Sequence, residues 1–237
     1  MSDHLGILSG ISVGTGDPEL ITVKGLKVLQ KASVVAFPSG IKGHRGIAEQ
    51  IVFPWLLETQ HTLPLHFPYV QDEEVLQQAW QEAANQVWHY LKLGEDVAFV
   101  CEGDISFYST FTYLAQTLKE LHPEVNIQTI PGVCSPMAAA SQLGIPLTVR
   151  SQRLVILPAI YTVDELDQVL NWADVVVLMK FSSVYPKIWQ LLKERNLLNH
   201  SWIVEKATFP EQVIYRDLQD KPQLKLSYFS LFIINIY

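Results

Sequence analysis

Residues 5–18 read LGILSGISVGTGDP. The first nine form an apolar, glycine-interrupted strand, and Gly14, Thr15 and Gly16 turn the chain. Asp17 and Pro18 then supply an N-cap and a proline for the first helical turn, so a helix is expected to begin there. Ile21, Gly25, Val28 and Leu29 fall on one face of that helix, and Lys24, Lys27 and Lys31 on another. That pattern predicts a helix packed on a sheet with one side in water, followed by a partner strand over 33–38.

The same alternation continues outward from this unit. A long helix is expected over 72–93, with Leu76, Ala79, Trp80, Ala83, Val87 and Leu91 as its buried stripe and Gly94 as its stop. A strand at 97–101, a helix near 110–121, a strand at 126–130, a small-residue helix near 137–143 and a strand at 154–158 follow. Thr162 and Glu165 offer a capping box to a helix that ends near Trp172. A strand at 175–179, a helix at 186–195, a strand at 202–205 and an apolar closing segment at 229–236 complete the chain. Strands alternating with helices predict an α/β fold with mixed, largely parallel sheets. The length of 237 residues suits two domains of roughly 110 residues each. The proline-containing junction at His122-Pro123 is the expected boundary, giving domains 1–122 and 123–237.

Composition removes several classes. With 49% apolar and 17% charged residues, the chain can fill real cores and is no disordered protein. Its formal net charge of -7 argues against nucleic acid as a partner, because displacing counterions from phosphates needs a basic surface. The apolar runs are far shorter than the roughly 20 residues of a membrane span. The amino end lacks the basic start and small-residue cleavage site of a secretion signal. Cys101 and Cys134 are expected as two thiols in a reducing cytoplasm.

Three turns are candidates for chemistry. The first is 10–18, where glycines between a strand and a helix let a ligand approach the backbone. Its spacing is neither a dinucleotide fingerprint nor a phosphate-binding loop. The second is Glu102-Gly103-Asp104 with Ile105 to Ser109 behind it, placed after a strand, where ligands of open α/β sheets bind. The third is Pro131-Gly132-Val133-Cys134-Ser135, leading into a helix with Ala138, Ala139 and Ala140.

These turns, in this order, resemble the S-adenosylmethionine-dependent tetrapyrrole methyltransferases over nearly the whole chain. That family shares a strand followed by Gly-x-Gly-Pro-Gly-Asp-Pro, a central Gly-Asp with a Tyr-Ser-like pair, and a Pro-Gly-Val/Ile segment before an Ala-rich helix. Residues 66–68 (HFP), 98–112 (AFVCEGDISFYSTFT), 176–180 (VVLMK), 204–210 (VEKATFP) and 228–231 (YFSL) resemble the branch that methylates carbon-20 of precorrin-2 or cobalt-precorrin-2 on the route to corrinoids. Three positions depart from the family. Thr15 and Ile105 stand where proline is usual, and Cys134-Ser135 replaces a Thr/Ser-Ala/Ser pair.

The resemblance implies a cofactor cleft between two α/β domains. S-adenosylmethionine would be touched there by Thr15, Glu102, Gly103, Asp104, Phe107, Cys134, Ser135, Met179, Ala207, Tyr228 and Phe229, much of the contact through backbone. It also implies a homodimer and no protein-bound metal. Methyl transfer from a sulfonium needs alignment and exclusion of water, not a protein nucleophile. One weak base suffices for the ring proton, with Asp17 as the candidate and an N-cap as its other role. The substrate is polycarboxylic, so a local basic surface is required on an acidic protein. Lys42, His44 and Arg45 in one glycine-flanked loop, with Arg150 and Arg153, are its candidates. The rival readings are a sister methyltransferase acting at another position and a non-enzymatic sensor of a nucleotide-like ligand.

Overall fold

Ile7–Ser12 forms β1, and the chain then departs from the expected helix start. Asp17 does act as a cap, its Oδ1 accepting the Glu19 N–H at 2.8 Å, but it caps a single 3-10 turn, Pro18–Leu20. The α-helix proper, α1 (Val23–Lys31), begins one turn later behind Thr22, whose hydroxyl accepts the Gly25 N–H at 3.0 Å. In the computed structural model, which describes residues 4–40 and 45–236, the first unit continues with β2 (Val34–Pro38), α2 (Ile47–Val52), β3 (His61–Leu65) and α3 (Glu73–Leu91). Then come β4 (Val97–Cys101), α4 (Phe111–Leu121) and β5 (Asn126–Ile130).

These five strands form one sheet in the order β3-β2-β4-β1-β5, every neighbouring pair parallel. β4 is buried along its whole length, as a strand covered by helices on both faces must be, and its sequence VAFVC is correspondingly apolar throughout. β3 holds Pro64, which has no N–H to give to a ladder and is therefore accommodated on the edge. Asp72 caps α3 by accepting the N–H groups of Glu74 and Val75. Ala79, Ala83, Val87 and Leu91 of the expected stripe are buried. Trp80 is half-buried and stacks on Tyr113 of α4 at 4.5 Å.

The division between the units falls after Cys134, not at His122-Pro123. The physical reason is β5: it pairs in parallel with β1 from Ile7–Asn126 to Ile11–Ile130, so the strand beyond the proline junction completes the first sheet.

The second unit runs through α5 (Ser135–Leu143), β6 (Leu154–Leu157), α6 (Asp164–Val169), β7 (Val175–Met179) and α7 (Tyr185–Glu194). It ends with β8 (Ser201–Glu205), β9 (Val213–Tyr215) and β10 (Ser230–Asn235). Its sheet order is β6-β7-β10-β8-β9. Only β6 and β7 pair in parallel; β10 runs antiparallel between β7 and β8, and β8 pairs antiparallel with β9. The α/β fold with mixed, largely parallel sheets is thus realised unevenly, all parallel in the first unit and mostly antiparallel in the second. The capping box expected from Thr162 and Glu165 does not form: Val163 occupies the cap of α6 without a side-chain hydrogen bond. Leu178, Phe181, Tyr185, Ile188, Ile203 and Phe232 centre the core. The polar tips of its large aromatics are satisfied, Tyr185 donating to the Lys221 carbonyl at 2.7 Å and Trp189 to that of Leu218 at 2.6 Å.

Gly10 sits in the middle of β1, where a Cβ would meet the Phe111 ring at 2.6 Å. It is a packing glycine that lets α4 seat an aromatic ring on the sheet, and not a ligand contact. Gly10→Ala is therefore expected to destabilise the protein by about 1–3 kcal/mol, read as a lowered urea midpoint at unchanged slope.

Candidate functional site

Strands β4, β1 and β5 are adjacent and parallel, so their carboxyl ends share one edge of the first sheet. The chain leaves β1 toward β2 on one side and leaves β4 toward β5 on the other, which makes this edge a topological switch point, the place where open α/β sheets form a crevice. All three glycine turns singled out in the sequence leave from it.

The turns are bonded to one another. Gly103 donates its N–H to the Gly14 carbonyl at 2.6 Å and accepts the Gly14 N–H at 3.4 Å. Both residues have left-handed φ values, +79° for Gly14 and +71° for Gly103, a region where a Cβ is strained. Their surroundings differ. A Cβ on Gly14 would meet Leu20 at 2.7 Å, whereas a Cβ on Gly103 would have no atom within 4 Å. Gly14 is thus shaped by packing, and Gly103 presents backbone to open space.

Two side chains lock the arrangement. The buried hydroxyl of Ser12, at the end of β1, accepts the Ile105 N–H at 2.8 Å and donates to the Ile130 carbonyl at 2.8 Å. It ties the turn after β4 to the end of β5. Asp104 accepts the Gly132 N–H through Oδ2 at 2.7 Å and the Ser106 N–H through Oδ1 at 2.9 Å. Burial opposes ionisation of this carboxyl. The hydrogen bonds from the Ser106 hydroxyl, the Gly132 and Ser106 N–H groups and Ser12 outweigh that and hold it below the usual carboxylate range. Gly132 is required where these strands converge, since its Cβ would collide with that of Ser12 at 2.4 Å. Ser12 is one of two serines in β1, the other being Ser9, and nothing local in the sequence marks it out.

Around this frame, Thr15, Phe107 and Cys134 are half-buried, while Glu102 is exposed. Phe107 packs against Tyr108, itself held at φ +54°, with ring centroids 4.6 Å apart. Cys101 faces the core, and burial pushes its thiol up to about 12 despite a hydrogen bond with Ser109, so it stays a neutral thiol at physiological pH. Ser135 opens α5 in the second unit. Met179, Ala207, Tyr228 and Phe229 gather at one edge of the second sheet. Met179 pairs with Leu231 in register, and the Lys206 N–H donates to the Phe229 carbonyl at 2.8 Å.

The basic candidates are placed less simply. Lys42 and His44 lie outside the described residues. Arg45 pairs with Glu49 at 3.4 Å and lies 4.0 Å over the Phe53 ring. Arg153 is bonded to Asp174 at 3.0 Å, and Arg150 is an exposed residue at φ +53°. Among the described residues no cluster of three His, Cys, Asp or Glu side chains is placed to hold a metal ion.

A two-unit α/β protein whose glycine turns bare the backbone at the carboxyl ends of parallel strands is the class that fold and site define. The chain belongs to the family of Tetrapyrrole (Corrin/Porphyrin) Methylases, whose model matches residues 8–221. It is 31% identical to the cobalt-precorrin-2 C(20)-methyltransferase of Salmonella typhimurium over 234 residues, which cover 97% of this chain and 96% of that one. It is also 33% identical over 233 residues to the cobalamin biosynthesis protein CobIJ of Mycobacterium tuberculosis, covering 95% of this chain but only 45% of CobIJ. The chain thus spans about half the length of that relative. A solved uroporphyrin-III C-methyl transferase from Thermus thermophilus, complexed with S-adenyl homocysteine, has the same fold, with a TM-score of 0.66 at 19% identity over 97% of both chains.

The clip made by Asp104 has a pH signature. Its folded-state pKa is lowered, so its contribution to stability is complete above the unfolded carboxylate value of about 3.9 and is lost as pH falls through the folded value. The stability difference between the parent and Asp104→Asn is expected to be constant near neutrality and to shrink below about pH 4. Denaturation midpoints across an acid series measure it.

Proposed function

We propose that the chain transfers a methyl group from S-adenosylmethionine to carbon-20 of precorrin-2 or cobalt-precorrin-2 in cobalamin biosynthesis. The observation that carries this reading is the open, left-handed Gly103 at the switch point, in a chain that matches a named C(20)-methyltransferase from end to end. Gly103 fits an approaching ligand, because a backbone with no atom near its missing Cβ can be contacted closely. Thr15, Glu102, Gly103, Asp104, Phe107, Cys134 and Ser135 would hold the cofactor, and the contacts that family resemblance gives to Met179, Ala207, Tyr228 and Phe229 are part of the same proposal.

When bound, the cofactor would supply an electrophilic methyl group on a sulfonium, with the neutral thioether as the leaving group. The work left to the chain is to fix the donor, present the ring carbon in line and keep water out. Rigid backbone does this. The hydrogen bonds of Ser12 and Asp104 preset the three turns, so little ordering remains to be done on binding. No nucleophilic side chain takes part, in keeping with the buried, neutral Cys101. Asp17, fixed by the Glu19 N–H, is the proposed acceptor of the ring proton. Arg45, Arg150 and Arg153, with Lys42 and His44, are proposed to meet the substrate's carboxylates. A homodimer in the cytoplasm, holding no metal of its own, belongs to the same reading. No helix among the described residues is long and apolar enough to cross a membrane.

Two measurements test the proposal. S-adenosylhomocysteine is expected to bind chelator-treated protein in a calorimeter. Gly103→Val should abolish that binding, since a branched side chain would be strained at φ +71° and would fill the space a ligand needs. Unchanged affinity in a folded variant would place the cofactor elsewhere. Incubation with methyl-labelled S-adenosylmethionine and enzymatically made precorrin-2, with and without cobalt, should give a product carrying one added methyl at carbon-20. Label at another ring position would assign the chain to a sister activity, and cofactor binding without transfer would make it a sensor.

A further inference from the structure

In the second sheet β7 and β8 both pair with β10, Met179 opposite Leu231 and Glu205 opposite Ser230. The next residues along those two strands, Lys180 and Lys206, therefore flank the start of β10 at one edge of the sheet. Both have left-handed backbones, φ +49° and +50°. Residues with a Cβ rarely occupy that region, and those that do are most often asparagine or aspartate. Neither lysine is there by fraying. The Lys206 N–H is held by the Phe229 carbonyl at 2.8 Å, and its own carbonyl accepts the Phe209 N–H at 3.0 Å. The Lys180 Nζ lies 5.6 Å over the ring of Tyr228, which is itself exposed. Two adjacent strand ends thus spend conformational free energy at lysine, a pattern found where backbone geometry serves a site.

The charges at this edge are not consumed internally. The ion pairs among the described residues belong to Arg45, Arg153 and Arg195, and none to a lysine. Glu205, next to Lys206, has a buried Oε2 without a hydrogen-bond partner, and so does the hydroxyl of Ser227, the residue before Tyr228. Both atoms are buried, so neither meets a ligand at the surface, and the donors of this edge are the lysines. Two lysines are donors suited to carboxylate oxygens.

We propose that Lys180 and Lys206 form a carboxylate-binding pair that holds acidic side chains of the tetrapyrrole substrate. This rests on the methyltransferase reading and adds to it a recognition element apart from the basic residues at 42–45 and the turn at 150–153.

The test measures binding of uroporphyrin and of its methyl ester by fluorescence, and methyl transfer to precorrin-2, in the same proteins. The parent is expected to prefer the free acid and to lose affinity as salt rises. Lys180→Gln and Lys206→Gln should each weaken acid binding about tenfold. The double variant should lose the preference for acid over ester and most of the salt response. In the transfer assay the same changes should raise the tetrapyrrole KM with kcat retained, because the carboxylates keep their charge through the reaction. Lys187→Gln, exposed on α7, controls for net charge and should bind as the parent does. Lys180→Gly and Lys206→Gly separate recognition from folding: glycine is at ease in the left-handed region, so their Tm should hold or rise while acid binding still falls. Parental acid binding, salt response and KM in the double variant would overturn the lysine pair and leave methyl transfer standing. Lysine-dependent acid binding in a protein that transfers no methyl to precorrin-2 would overturn the methyltransferase reading and support the pair.

Discussion

The hydroxyl of Ser12 is the contact on which the arrangement of the site depends. It is fully buried, and a buried hydroxyl is tolerated only when its hydrogen bonds are made. Here it accepts from Ile105 and donates to Ile130, so one atom on β1 fixes both the turn after β4 and the last residue of β5. Asp104 adds a second tie from the same turn to Gly132. Between them, the three strand ends have no freedom to drift apart. The left-handed glycines at 14 and 103 and the close approach of Gly132 to Ser12 are consequences of holding three chains this near to one another.

A site made this way presents peptide groups, and the chemistry proposed for it asks for little else. Where the reacting methyl is already activated, rate comes from alignment and from a preorganised surround, not from a nucleophile or a strongly shifted acid. Three of the titratable groups agree with that division. Asp104 is ionised and spent on structural hydrogen bonds, Cys101 is neutral and buried, and Asp17 is engaged at a turn. Ile105, where the family has proline, supplies the N–H that Ser12 accepts, a bond that a proline could not make.

Much of this is legible in the sequence because parallel strands are covered on both faces and so appear as unbroken apolar runs. VAFVC at β4 and VVVLM at β7 could hardly be anything else. β3 escapes such a reading because an edge strand tolerates His61, Thr62 and Pro64, which look like a loop, and β9 because three residues give no period. The helix start is expected one turn early since Asp17-Pro18 and Thr22 are both sound caps, and only packing decides that the first serves a 3-10 turn. The domain boundary errs for a related reason. His122-Pro123 breaks the chain locally, but β5 beyond it has its hydrogen-bond partner in β1, and pairing across more than a hundred residues leaves no mark in local composition. The three turns of the site stand out as motifs. Ser12, which joins them, does not, because a serine at a strand end has no pattern to distinguish it until its partners are known.

The same limit governs charge. Cations close in sequence look like a basic patch, yet Arg45 and Arg153 are each bonded to a carboxylate, as planar guanidinium groups tend to be when an acid is within reach. Lysine is a more strongly hydrated point charge with less to gain from an internal fork, and among the described residues it is lysine that stands outside the ion pairs at the ends of β7 and β8. Net charge sums over both kinds and so says nothing of either. A chain at -7 can present positive potential to a polyanion if its arginines answer its own acids and its lysines are held apart. The left-handed backbones at Lys180 and Lys206 hold two of them apart, one on each side of the strand that leads into the core.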